Sequence, residues 1–152
     1  MEYAIENEYL IVTVTTWGAQ VKSVVRKFDD VEHMWQADKS VWGYHAPILF
    51  PHTGKVVDDL IETKGEVYQA KQHGFARLME HTLVRQTEDT IVMELRSSEE
   101  TLRIFPYAFR LVSTFTLDGD TLHHKLTVEN WDADKLYFGI GYHPAFTVPF
   151  DD

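Results

Sequence analysis

Short segments in which apolar and polar residues alternate recur along most of the chain. Alternation with a period of two is typical of β-strands that bury one face. The segments are rich in β-branched and aromatic residues, and turn-forming residues separate them. The pattern predicts strands over residues 10–16, 19–27, 31–35, 66–70, 81–86, 90–96, 109–117, 121–130 and 136–142.

The clearest of these patterns is a hairpin in the second half of the chain. Apolar residues share one face of its first strand, and Asp118-Gly119 supplies the turn. In the returning strand His124 is in phase with the apolar face, which predicts a hydrogen-bonded core or interface histidine rather than a ligand. The residues predicted to face inward are Phe109, Leu111, Phe115, Leu117, Leu122, Leu126 and Val128.

One segment has a helical signal. Ser97 and Glu100 have the spacing of a capping box, with Ser97 as N-cap and Glu100 at the third helical position. A short helix is expected to run from there to about Ile104, because Pro106 stops it. With strands almost everywhere else, the fold class is all-β, a sandwich, and residues 1–152 form a single domain.

The segment from Val41 to Lys55 breaks the strand pattern. It contains two prolines and two glycines, which interrupt a regular ladder. We interpret it as a loop with a short extended piece at residues 48–50. Long irregular segments in small domains often carry function.

Charge and composition limit the function classes. The formal net charge is −10, which disfavours binding to nucleic acid or an anionic membrane surface. There is no cysteine, so disulfides and thiolate chemistry are excluded. The first residues lack a basic-then-apolar signal segment, and no apolar run approaches the ~20 residues that span a bilayer. We therefore expect a cytoplasmic protein.

His73 is the first candidate for chemistry. Gly74 follows it and permits a backbone conformation that other residues avoid, so His73 can be held at an unusual angle. Arg77 is close enough in sequence to line the same cleft and could bind hydroxyl groups or an anion. The alternative is an ordinary turn histidine beside a solvated arginine.

His143 is the second candidate. If residues 136–142 form a strand, Tyr137, Gly139, Gly141 and His143 share one face. The glycines would leave open space beside the imidazole for a flat ligand flanked by Tyr137. The alternative is that the glycines mark a bulge in the strand.

The chain has eight histidines, which raises the question of a metal site. No pair has the spacing of metal ligands on a helix or a strand, so we expect no metal. No nucleotide-binding glycine motif is present either, and no cofactor is expected. His45 and His52 lie in the irregular loop, where they either line a pocket or face solvent.

Five motifs taken together resemble the aldose 1-epimerase family, and within it the LacX-like branch. Each motif alone is weakly specific, but all five follow the order of the family along nearly the whole chain. They are residues 17–23 (WGAQVKS), 46–55 (APILFPHTGK), 73–77 (HGFAR), 105–109 (FPYAF) and 141–146 (GYHPAF).

The resemblance implies a galactose mutarotase-like β-sandwich, a supersandwich, that interconverts the α and β anomers of an aldose without cofactor or metal. It implies that His143 is the general acid and that His73 is a second catalytic histidine near the sugar ring oxygen. It also places Arg77 and Lys55 near the substrate. His52 in the irregular loop and Tyr137 beside the glycines are the further candidates for contacts with the sugar. Lys55 stands where family members often have arginine, which makes a contact there less directional.

The resemblance also implies that this chain is the N-terminal part of a longer fold. The family's general base is a glutamate far downstream, and the chain has no match for it. We therefore expect exposed sheet edges that a missing C-terminal half or another copy of the chain covers. Two other functions stay open: a sugar-binding module without catalysis, and a mutarotase for hexose 6-phosphates that uses Arg77, Lys55 and Lys71.

Overall fold

Most of the alternating segments fold as strands in the computed structural model, which describes residues 1–148. The strands are short and are joined by turns, as the sequence pattern indicates. Within the described residues they are β1 (Glu2–Glu6), β2 (Leu10–Thr15), β3 (Gln20–Arg26), β4 (Val31–Glu32), β5 (Ile48–Leu49), β6 (Leu60–Thr63), β7 (Glu66–Gln69), β8 (Thr82–Gln86), β9 (Thr90–Arg96), β10 (Phe109–Asp118), β11 (Thr121–Asn130) and β12 (Gly141–Tyr142).

The strands form two larger sheets and two small ones. One sheet has the order β1-β2-β3-β4 and the other has the order β11-β10-β9-β8, and all neighbours in both are antiparallel. The apolar faces of the two sheets share one hydrophobic core, which contains Val12 and Val14 of one sheet and Met93 and Leu111 of the other. The all-β prediction is therefore confirmed.

The predicted hairpin is β10 and β11. Phe109, Leu111, Phe115 and Leu117 are buried, and their register places Phe115 opposite His124. Arg110 alternates with them on the outer face, where it forms ion pairs with Glu94 and Glu129. The hairpin is the longest regular part of the fold, because each of its strands continues for ten residues.

The loop between β4 and β6 is anchored in the core by Phe50. Phe50 is fully buried, and its ring centroid lies 5.1 Å from that of Phe109 and 5.9 Å from that of Phe105. Burying such a side chain stabilises the fold by roughly 1.5–3 kcal/mol. An irregular segment is thereby held firmly enough to position functional groups. Single-turn 3₁₀ helices lie at Val57–Asp59, at the end of this loop, and at Ala76–Leu78, after β7.

The predicted helix exists, but its cap is shifted by one residue. The helix spans Glu99–Leu102, and Ser98 is its N-cap. The Thr101 backbone N–H donates to the Ser98 hydroxyl at 3.3 Å, and the Ser98 N–H donates to the Thr101 hydroxyl at 2.8 Å. The buried Thr101 hydroxyl thus takes the role expected of Glu100. The hydroxyl of Ser97 accepts from the Phe109 N–H instead.

The strand expected over residues 136–142 is wrong except for Gly141–Tyr142. The neighbouring segment contains Pro47 and Pro51, which have no N–H to donate. Gly139 and His143 therefore donate to these prolines without receiving a bond in return. The ladder shrinks to two residues, and the expected common face of Tyr137, Gly139, Gly141 and His143 does not form as a strand face.

Three other differences concern short strands. The extended piece at residues 48–50 is present as β5, which pairs with β12. The strand expected over residues 31–35 shortens to Val31–Glu32. β1 and β6 were not predicted, because β1 buries only Ile5 and β6 is half-exposed at best, so neither has a strong apolar alternation.

Candidate functional site

The site lies where three loop segments meet beside the small β5–β12 sheet. Residues 45–51 run antiparallel to residues 139–145, and backbone hydrogen bonds join them on both sides of the sheet. The His143 N–H donates to the Pro47 carbonyl at 3.1 Å, and the Ala145 N–H donates to the His45 carbonyl at 2.9 Å. His143 is thereby fixed next to the proline-rich loop.

The third segment is the turn at His73 and Gly74. Both residues have positive φ, +67° and +70°. A Cβ on Gly74 would lie 2.1 Å from the Phe50 carbonyl oxygen, so only glycine fits there. The Phe75 N–H donates to that same oxygen at 3.0 Å. Close packing against Phe50 is therefore the reason for the glycine after His73, and it holds His73 itself in the left-handed conformation.

The His73 ring is held in one tautomer. Its Nδ1 accepts the Gly54 N–H at 3.0 Å, and its own backbone N–H donates to the Gly54 carbonyl at 2.8 Å. A ring nitrogen that accepts a hydrogen bond carries no proton, so the remaining proton is on Nε2. The side-chain amide of Gln72 lies 3.2 Å from this Nε2. With the proton on Nε2, the amide must present its oxygen there, because an amide nitrogen cannot accept a hydrogen bond. His73 is therefore oriented as a neutral donor.

Burial and nearby positive charge both favour the neutral form. Partial burial is the largest cause that lowers the pKa of His73 below its ordinary value, and the charges of Arg77, His143 and His52 lower it further. The tautomer and the direction of the pKa shift agree. At neutral pH this imidazole donates a hydrogen bond but does not carry charge.

The two candidate histidines are neighbours in space. The ring centroids of His73 and His143 are 6.3 Å apart, with an interplanar angle of 66°. His143 is exposed and His73 is half-buried. The structure thus brings together two imidazoles that lie 70 positions apart in the sequence. We use the name crevice for the surface that these two rings border together with Trp42, Tyr44 and Arg77.

Arg77 borders the same crevice. Its guanidinium carbon lies 5.0 Å above the ring centroid of Tyr44, and its Nη2 donates to the Gln72 carbonyl at 3.1 Å. Its Nε is buried and has no partner among residues 1–148. The fork is therefore fixed in place with unused hydrogen-bonding capacity.

His52 links two of the loops. Its Nε2 donates to the Lys71 carbonyl at 2.8 Å, and its charge is among those that lower the pKa of His73. The Nδ1 of His52 is buried without a hydrogen-bond partner in the described part of the chain. Its position is thus adjacent to the site, with the ring turned towards the backbone of Lys71.

The structure places Lys55 and Tyr137 farther out. The Lys55 ammonium is exposed and lies 4.0 Å from the Asp59 carboxylate. Tyr137 is 65% exposed, and its ring lies 5.0 Å from the Lys135 ammonium. Among residues 1–148 neither side chain hydrogen-bonds to or stacks on His73 or His143.

Two residues that the sequence reasoning did not single out also border the crevice. The Trp42 ring centroid lies 5.0 Å from that of His143 and 5.7 Å from that of Tyr44. Both belong to the irregular loop, whose aromatic content was visible in the sequence. Without a strand or helix period, however, the sequence did not indicate which of its rings faces the histidines.

His124 has a different environment. It is stacked on Phe115 at 4.2 Å and meets the edge of Tyr142 at 4.6 Å. The expectation of an inward position is confirmed, but the expected hydrogen bond is wrong, because Nε2 is buried with no partner in residues 1–148. Burial lowers the pKa of His124 to about 4.

Two further features of the described residues bear on function. No group of three His, Cys, Asp or Glu side chains in residues 1–148 is arranged to hold a metal ion. Within the same range no helix is long and apolar enough to cross a membrane.

Solved structures with the same fold are found in two lactobacilli. A galactose mutarotase related enzyme from Lactobacillus acidophilus superposes with a TM-score of 0.97 at 36% identity, covering 99% of this chain and 50% of that one. A galactose mutarotase-like protein from Lactobacillus casei superposes with a TM-score of 0.95 at 34% identity, covering 99% and 51%. The galactose mutarotase-like fold is therefore confirmed.

Sequence comparison points the same way. Protein LacX of Lactococcus lactis subsp. lactis is 35% identical over 156 residues, which cover 98% of this chain and 52% of that protein. The chain thus spans about half the length of the curated relatives that it matches so well. The aldose 1-epimerase family model matches residues 1–152. The chain belongs to the aldose 1-epimerase family.

Proposed function

We propose that this chain provides the general acid of a mutarotation site, which binds a cyclic aldose between His73 and His143. The observation that carries the proposal is the 6.3 Å separation of the two imidazole centroids. Two hydrogen bonds of about 3 Å that meet at one oxygen span a similar distance. The rings can therefore reach the ring oxygen of one pyranose from two sides.

The proposed reaction opens and recloses the sugar ring. His143 gives a proton to the ring oxygen as the C1–O5 bond breaks, and the electron pair of that bond goes to O5. A base removes the proton from the C1 hydroxyl, so that C1 becomes a carbonyl carbon. Rotation about C1–C2 and the reverse steps form the other anomer. His143 suits the acid role because it is exposed and can regain its proton from water.

His73 has a separate role in the proposal. Because Nδ1 accepts the Gly54 N–H, the ring donates only through Nε2. A fixed neutral donor polarises an oxygen on which charge develops, without competing for the proton. Arg77 is proposed to bind a sugar hydroxyl through guanidinium N–H groups other than the one that bonds to the Gln72 carbonyl. His52, Lys55 and Tyr137 are proposed as outer contacts of the substrate, and they are weaker candidates because they face Lys71, Asp59 and Lys135.

The base is proposed to be a carboxylate outside the residues described here. Within those residues, the charged groups that shift the pKa of His73 are Arg77, His143 and His52, and no carboxylate is among them. The relatives and solved structures that match the chain are about twice its length. We infer that the 152-residue chain by itself binds an aldose but accelerates mutarotation little.

Polarimetry on freshly dissolved α-D-glucose and α-D-galactose tests the proposal in the complete protein. His143→Ala is expected to lower kcat by ~10²–10⁴-fold, the usual contribution of one acid–base group. His123→Ala is the matched control, since His123 is exposed on the outer face of β11. An unchanged rate in His143→Ala would refute the acid role.

The same experiment separates the alternatives. Sugar binding without any acceleration in the complete protein would indicate a binding module. A strong preference for hexose 6-phosphates would indicate the phosphorylated substrate, although only Arg77 of the three proposed cations is among the charges that act on His73. The cytoplasmic location and any association between copies of the chain stay predictions.

A further inference from the structure

We propose that Trp42 is a positioning residue that fixes the orientation of the His143 ring. The inference rests on the proposed function, because it assigns a role to Trp42 in the same site. Its starting point is the contact between the two rings, whose centroids are 5.0 Å apart with an interplanar angle of 39°.

The His143 ring has few other constraints. Its backbone is held by the bond from its N–H to the Pro47 carbonyl. Within residues 1–148, by contrast, no hydrogen bond involves either nitrogen of its ring. The side-chain orientation is therefore set by ring packing, against Trp42 on one side and His73 at 6.3 Å. An acid that must exchange its proton with both water and substrate benefits from being held without a competing hydrogen bond.

Trp42, in contrast, is firmly anchored. Its backbone N–H donates to the Asp38 carbonyl at 2.7 Å, and its backbone carbonyl accepts from the Trp35 indole N–H at 2.9 Å. The Asp38 carboxylate accepts from the Ser40 N–H at 2.8 Å and from the Ser40 hydroxyl at 2.7 Å, which closes the turn before Trp42. These bonds fix the backbone of Trp42, and its half-buried indole packs on Tyr44 as well as on His143. The indole can therefore define the position of a less constrained imidazole.

Trp42 also belongs to a series of contacts that leads away from His143. Trp42 lies 5.7 Å from Tyr44, and the Arg77 guanidinium lies 5.0 Å above Tyr44. Arg77 is among the charges that act on His73. Contacts thus run from His143 through Trp42 and Tyr44 to Arg77, and the charge of Arg77 in turn acts on His73. Trp42 is the member of this series next to the proposed acid.

The expected kinetic effect is a loss of kcat rather than of binding. A displaced acid still permits the sugar to bind, but misplacement by about 1 Å can cost ~10²-fold in rate. Trp42→Leu is expected to lower kcat roughly 10–100-fold in the complete protein with KM changed by less than about threefold. Trp42→Phe keeps an aromatic face and is expected to restore most of the rate. Trp131→Leu is the control, because Trp131 is half-exposed and packs beside Arg96, not beside the site.

An NMR measurement decides the inference independently of catalysis. The ring current of the indole shifts the carbon-bound protons of the His143 imidazole, so Trp42→Leu is expected to move these resonances and Trp42→Phe to keep part of the shift. Trp131→Leu should leave them in place. Unchanged His143 resonances in Trp42→Leu would overturn the positioning role, even in an active enzyme. If the parent protein shows no mutarotation at all, the proposed function fails, and the NMR result still decides whether Trp42 sets the ring.

Discussion

Two histidine environments are separated by Tyr142, the last residue of β12, and His143, which follows it. Tyr142 packs inwards on His124, at 4.6 Å between ring centroids, whereas His143 is exposed beside His73. His124 is enclosed by aromatic rings and its burial lowers its pKa to about 4. The Nε2 of His73, in contrast, lies at the surface beside the Gln72 amide. The same side chain is therefore inert in one place and available for chemistry in the other.

The difference comes from the elements that carry each histidine. His124 is on β11, whose regular alternation turns every second residue into the core. His73 and His143 are on short irregular segments that are held by Phe50, Gly54 and Pro47. The sandwich provides rigidity, and the loops on it provide accessible nitrogen atoms.

The largest effect is expected from Gly74→Ala. The new methyl group would lie 2.1 Å from the Phe50 carbonyl oxygen at a φ of +70°, so the turn must move. Strain and overpacking together are expected to reduce the free energy of unfolding by about 3 kcal/mol or more. The comparison is with Gly65→Ala, where φ is +78° but nothing lies within 4 Å. That variant should lose only about 1–2 kcal/mol. Equal losses in urea unfolding would show that close packing at Gly74 is unimportant.

An acid-dependent effect is expected from His124→Phe. The folded-state pKa of about 4 lies below the ordinary 6.5, so between these values the unfolded chain binds more protons than the folded one. Stability is therefore lost as pH falls through that window, by about 3 kcal/mol at most for this shift. His124→Phe removes this contribution and should flatten the decline between pH 7 and pH 4.5.

The matched control for this decline is His123→Phe, because His123 lies on the opposite, exposed face of β11. It should retain the parental pH dependence in urea titrations. If His124→Phe loses stability on acidification as steeply as the parent protein does, the buried histidine is not its source.

The smallest effect is expected on the pKa of His73. Arg77→Met removes a positive charge that lowers the pKa of His73, so this pKa should rise towards its ordinary value. Lys55→Met is the control, because Lys55 pairs with Asp59 and is not among the charges that act on His73. Imidazole NMR titration measures both. A pKa of His73 that responds to Lys55 and not to Arg77 would contradict the arrangement of the crevice.

The elements that the sequence predicted well are the strands in which apolar and polar residues alternate. The β10–β11 hairpin follows from its alternation of apolar and polar residues. The family motifs predicted that His73 and His143 lie close together, and their ring centroids are 6.3 Å apart. The helix cap moved by one residue because two neighbouring serines were equally plausible, and burial of Thr101 decided between them. The strand over residues 136–142 was overestimated because Pro47 and Pro51, distant in sequence, limit its partner. The contact between Trp42 and His143 was not predicted, because Trp42 lies in an irregular loop where no strand or helix period indicates the direction of a side chain.

In the proposed function, His73 and His143 both contact one bound sugar. The most direct test follows the imidazole resonances of all three histidines by NMR while D-galactose or D-glucose is added. We expect the His73 and His143 signals to shift together with a single Kd while the His124 signal stays in place. Sugar binding that moves only one of the two, or neither, would contradict it.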